Sequence, residues 1–202
     1  MNTLCLVAAG LVLWLGVTAQ RETLREEVTR ESGPVEKKYR VLPEPHSIKE
    51  ILAVSDLVVR ATVGPYLAAH LTKDGSDVRT DYRLKVAEVL VSPHQPEASV
   101  EAQRIDQLIL TQRGGTVIIE GHPATVRHVA LAPLTPGTDV LMFLVRVGDK
   151  YEIAKDYFGA FSVRGDTVTP LAPRVFDEPH RRGLTLAEFR DEIATTLVEL
   201  GR

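Results

Sequence analysis

The chain has 202 residues, 44% of them apolar, and a formal net charge of −3. That is enough apolar material for one domain-sized core, so wholesale disorder is set aside. No block of basic side chains is dense enough to track a nucleic-acid backbone or an anionic membrane surface, which argues against both partner classes.

In chain order, the first twenty residues carry no charged side chain, and residues 4–17 are almost wholly apolar and include the single tryptophan, Trp14. Val17-Thr18-Ala19 then places small residues where a signal peptidase reads. A run this short is a signal h-region rather than a membrane span, which needs about 20 residues. The expectation is an exported protein, periplasmic or extracellular, with no stable membrane span once the segment is cleaved. Because Met1-Asn2-Thr3 supplies no Lys or Arg, an uncleaved N-terminal membrane anchor is the alternative. The one cysteine, Cys5, lies inside this segment. It is too near the start to be a lipoprotein attachment site. The mature chain would therefore hold no disulfide, thiol nucleophile or zinc–thiolate site. It would also lack tryptophan, which counts against a sugar-stacking platform.

Residues 21–40 (RETLREEVTRESGPVEKKYR) alternate in charge and are broken by Gly33-Pro34. They read as a solvated linker, or as a short exposed helix over residues 22–29. Ser47-Ile48-Lys49-Glu50 is a capping box, followed by Ile48, Ile51 and Leu52 on one face of a short helix. A strand over residues 56–63 ends at Gly64-Pro65, and a polar loop over 68–81 turns at Asp74-Gly75. Tyr82, Leu84 and Val86 alternate with Arg83 and Lys85, the pattern of a half-buried strand. Residues 91–104, with Pro93 and Pro96, form a long connection, and residues 108–111 a third strand closed by Gly114-Gly115. Residues 116–120 and 125–130 pair as a hairpin over Gly121-His122-Pro123. Residues 138–147 (TDVLMFLVRV) are apolar on both faces, as in a central strand. Gly148-Asp149 turns them into residues 151–154, and Arg164-Gly165-Asp166 turns 158–163 into 167–168. Thr185-Leu186-Ala187-Glu188 is a second capping box, and Leu186, Phe189, Ile193 and Leu197 follow at helical spacing. Helix, several short strands, then helix, without βαβ units, predicts a small antiparallel barrel or sandwich with helices at its ends.

Residues 55–63 (SDLVVRATV), 82–90 (YRLKVAEVL) and 136–144 (PGTDVLMFL) come in a succession that resembles exported bacterial proteins of unassigned function. More distantly, it is similar to the netrin-like domain of the tissue inhibitors of metalloproteinases. The resemblance covers roughly residues 48–168. It implies a mainly β fold: a small antiparallel OB-like barrel with a short N-terminal helix and a C-terminal amphipathic helix. It does not imply inhibition, because those inhibitors grip the protease zinc through an N-terminal cysteine that the mature chain would lack. The expected organisation is a signal peptide at 1–19, a charged flexible linker at 20–45, the barrel at 46–170, and a linker with the C-terminal helix packed on the barrel at 171–202.

Candidate chemistry is sparse. His122, His128 and His94 are the candidate metal ligands, although Pro123 interrupts the strand that carries the first two. No H-E-x-x-H or G-x-S-x-G motif occurs. Glu152 and Asp156, Ser162 and Asp56 read as surface or structural groups. Arg164-Gly165-Asp166 reads as a hairpin turn, and Gly114-Gly115 lacks the helix a phosphate loop needs. No catalytic residue, cofactor or nucleic-acid partner is assigned. The leading expectation is an exported, non-catalytic binding module that meets a protein of the cell envelope through residues 64–81 and 91–104. The alternative is a small exported hydrolase or metal-binding protein built from His122, His128 and Asp156. A C-terminal helix docked on a partner rather than on the barrel is a third reading.

Overall fold

A computed structural model describes residues 22–39, 46–92, 105–128, 133–172, 180 and 182–201. The expected signal peptide lies outside them, as do His94 and most of the 91–104 connection. The elements are α1 (Leu24–Glu31), β1 (Val35–Tyr39), α2 (Ile48–Ala53), β2 (Leu57–Leu71), β3 (Val78–Val91), β4 (Gln107–Arg113), β5 (Gly115–Ile119), β6 (His122–His128), β7 (Asp139–Val147), β8 (Lys150–Ile153), β9 (Ala160–Arg164), β10 (Thr167–Pro170), β11 (Leu184–Thr185) and α3 (Leu186–Glu199).

The main sheet closes on itself. β2 pairs with β3 and β7, β3 with β4, and β8 joins β4 to β7. This five-strand ring is an OB-like barrel, antiparallel at every pair except β4–β8, which is parallel. Closure requires strands to bend, and β2 bends through several register shifts against β3. Gly64-Pro65, expected to end this strand, instead sits at one of those shifts, between Val63 and Tyr66. The strand runs on to Leu71, so much of the expected polar loop is the outer half of a long hairpin. Its tip is fixed by Asp74, whose carboxylate accepts from the Thr72 hydroxyl at 2.6 Å and the Ser76 amide at 3.1 Å. These bonds lower the Asp74 pKa to about 2.

β9, β10 and β11 extend the sheet from the far half of β7. The barrel core includes Leu57, Val59, Leu84, Leu110, Met142 and Leu144, and α2 and α3 pack into the same hydrophobic cluster. α3 packs Phe189 against Phe161, with ring centroids 4.8 Å apart, and against Phe143 at 6.2 Å. Its apolar face is thus covered by its own chain. Both expected capping boxes form, Ser47 with Glu50 and Thr185 with Glu188.

The expected linker is the main departure. A third capping box, Thr23 with Glu26, starts α1, and β1 then pairs in parallel with β6 along five residues. Together β1, β6 and β5 make a second sheet. It has its own core of Leu24, Val28, Val35, Val78, Ile119, Ala124 and Val126. Charge alternation hid three apolar residues that meet the β5–β6 hairpin only after long-range pairing. Among the described residues, no helix is long and apolar enough to cross a membrane.

Candidate functional site

The two cores leave a gap where β3 and β4 of the barrel meet the small sheet. There a cleft of about 470 Å³ opens, within the range of small-ligand sites. Thr80, Tyr82 and Arg113 line the barrel side, and Lys38, Arg127 and His128 the small-sheet side. Strand register explains the grouping: Lys38 lies opposite Arg127, and Tyr39 opposite His128, in the β1–β6 pairing. The floor depends on Gly115. With φ +133°, a Cβ there would stand 2.1 Å from the Thr80 hydroxyl oxygen, so no larger residue lets β5 begin this close to β3. The same hydroxyl donates to the Gly114 carbonyl at 2.6 Å, tying the two sheets together.

A recess of about 20 Å³, the space of about one water, shares Gln112, Arg113 and His128 with the cleft and is lined further by Arg79, Glu152, Asp156 and Tyr157. Arg79 and Arg113 are direct cross-strand partners, a like-charge pairing that repels. Each is neutralised from the β8 side: Arg79 bonds Glu152 at 2.6 Å, and Arg113 meets Asp156 at 3.3 Å. Asp156 is held there by a left-handed turn, with φ 52° at Lys155 and 60° at Asp156. Such non-glycine conformations are costly and concentrate at functional sites. Tyr157 is buried, and its hydroxyl has no hydrogen-bonding partner among the described residues. Burial, with the neighbouring Asp156 charge, raises its pKa.

His128 is almost covered. Its ring stacks on Tyr39 at 5.2 Å, and its Nε2 lies 3.3 Å from Asp77. Burial of Asp77 opposes its ionisation and is the largest single influence. The bonds from His128 and the Val78 amide, with the charges of His128 and Arg113, together outweigh it and keep the carboxyl below its ordinary value. The neighbouring Asp81 behaves alike. Burial pushes its pKa up, but bonds from Lys150 and Thr111, each 2.7 Å, and the charges of Lys150 and His70 leave it lowered overall.

The candidate metal ligands do not converge. His122 and His128 occupy opposite ends of β6, about 20 Å apart at strand rise, so one ion cannot bind both. His94 lies outside the described residues. Among the described residues no group of three or more His, Cys, Asp and Glu is placed to hold a metal. Glu152 and Asp156 are engaged with arginines as above. Ser162 bonds the Thr169 hydroxyl at 2.8 Å, and Asp56 accepts from the Arg146 amide at 2.8 Å, tying the start of β2 to β7. Gly165 and Asp166 form the β9–β10 turn, and Arg164 ends β9 opposite Thr167. Of the expected contact loops, residues 64–71 are the outer half of β2, with Tyr66 and Leu67 exposed. Of the residues singled out in the sequence, His128 and Gly114-Gly115 line the cleft, as does Thr80 at the end of the expected 64–81 contact segment, while Glu152 and Asp156 line the adjoining recess. Sequence reading missed Lys38, Arg113 and Arg127, which lie on three separate strands and share no local sequence signal.

The sequence matches no protein-family model, and no curated protein matches it significantly. The netrin-like resemblance therefore rests on strand pattern.

Proposed function

We propose that this chain is an exported, non-catalytic binding module whose ligand seats in the cleft between the barrel and the small sheet. The observation that supports this reading most is the cleft itself, about 470 Å³ of concave surface framed by two separately cored sheets. Such junctions are where ligand sites concentrate. The side chains along it also suit binding better than turnover, since its basic groups are matched with carboxylates and, among the described residues, none of its hydroxyls is bonded to a histidine.

A set of neutral organic fragments titrated into the isotope-labelled chain tests the site, read from backbone amide shifts. The expected hits cluster on Gly114, Gly115, Thr116 and Arg127; hits clustered on residues 64–71 or on α3 would overturn the assignment. Export is tested by fractionating the native host and sequencing the N-terminus. The expected chain begins at Gln20 in the exported fraction, and a chain that keeps Met1 in the cytoplasm refutes export.

A further inference from the structure

The cleft is electrostatically one-sided. Lys38, Arg113, Arg127 and His128 line it, and none of its described lining residues is an Asp or Glu. The carboxylates that balance these cations do not line it: Glu36 lies 2.9 Å from Arg127, Asp156 lies 3.3 Å from Arg113, and Asp77 lies 3.3 Å from His128. The first two pairs are exposed, with side-chain accessibilities of 67% and 45% for Arg127 and Glu36, and 43% and 50% for Arg113 and Asp156. Exposed pairs of this kind hold weakly. Both guanidiniums can therefore turn toward an incoming acid, and a cleft lined by one sign concentrates the opposite charge. The remaining surface is different in kind. Gly114, Gly115, Thr116 and Thr125 line the rest of it, and Tyr82 and Val126 reach it from the two cores, being 6% and 1% exposed.

We infer that the cleft takes a small organic anion whose acidic head, carboxylate or phosphate, is held by Arg113 and Arg127. Guanidiniums suit such a head because their paired N–H groups match two acceptor oxygens. This inference rests on the cleft being the binding site, and the test separates the two ideas.

Four probes share one body: 1-naphthoate, 1-naphthyl phosphate, 1-naphthamide and 1-naphthylmethylammonium. Each is titrated into the full chain and followed by amide shifts. Both acids, or one of them, are expected to shift Gly114, Gly115 and Thr116 and to bind at least about tenfold tighter than the amide. Which acid binds tighter identifies the head. Arg113→Gln and Arg127→Gln are each expected to weaken the acids about fivefold or more, and by more than they weaken the amide. Raising salt from about 50 to 500 mM should weaken the acids alone, a readout that needs no variant to fold. If the amide or the ammonium binds in the cleft as tightly as the acids, the anionic ligand class is wrong while the cleft stands as a site. If no probe shifts the cleft amides, both ideas fall.

Discussion

Replacing Leu24 by alanine tests the small sheet as a separately cored unit. Leu24 is fully buried, Val28 is 1% exposed and Val35 4%, and these three supply the N-terminal share of the second core. The Leu24 amide also donates to the Gly75 carbonyl at 2.8 Å, pinning α1 to the tip of the β2–β3 hairpin. Truncating a fully buried leucine costs about 2–5 kcal/mol. The barrel core shares no residue with this cluster, so the loss falls on the local opening of α1 and β1 rather than on the ring. At about 1.4 kcal/mol per decade, exchange of the α1 and β1 amides should accelerate roughly thirtyfold to a few thousandfold. Native-state hydrogen exchange read residue by residue is the assay, with Val58, Val59 and Met142 in β2 and β7 as barrel reporters. Those three should keep their protection. Equal acceleration everywhere would show that the two cores open as one cooperative unit. No acceleration of α1 would show that the segment is the solvated linker its charge pattern suggests.

Two further outcomes follow from buried geometry. Asp81→Asn leaves Lys150 and Thr111 without their charged acceptor and should cost about 1–3 kcal/mol at neutral pH by urea denaturation. The folded carboxyl sits below its ordinary pKa, so the unfolded chain takes up the proton first. The contribution is therefore complete above about pH 4 and is lost as pH falls through the folded value. The gap between native and variant should close on acidification, and a gap that widens would refute the assignment. Gly159→Ala places a Cβ 2.9 Å from the carbonyl oxygens of both Ala154 and Phe143. Both are backbone atoms at the junction of β7 with the β8–β9 turn, so the variant should lose about 1–3 kcal/mol. An unchanged Tm would mean the turn does not press on β7 this closely.

How much of the fold could be read in advance depends on how far apart the determining residues lie. The strands at 82–90 and 138–147, the hairpins turning at Gly121, Gly148 and Gly165, and the boxes at Ser47 and Thr185 all rest on residues within a few positions of one another. Thr23 with Glu26 carries the same box signature as Ser47 with Glu50, yet the surrounding charge led to a linker reading. Gly64-Pro65 looked like a terminator because nothing local distinguishes a strand end from a bulge. The candidate site was the least legible part. His128 was noticed for its spacing from His122, whereas its partners are Tyr39 and Asp77.

Alternation, capping and turn chemistry by themselves determined that this chain is mainly β with helices at its ends, because those preferences act through neighbouring side chains and backbone groups. The tertiary structure alone decided that β8 bridges β4 and β7 into a ring, that a charged N-terminal segment has a buried face, and that Lys38, Arg113 and Arg127 face one cleft. Those outcomes depend on which apolar surfaces find each other across long stretches of chain. That free energy comes from burial between distant segments, and no window of the sequence contains both sides of such a contact.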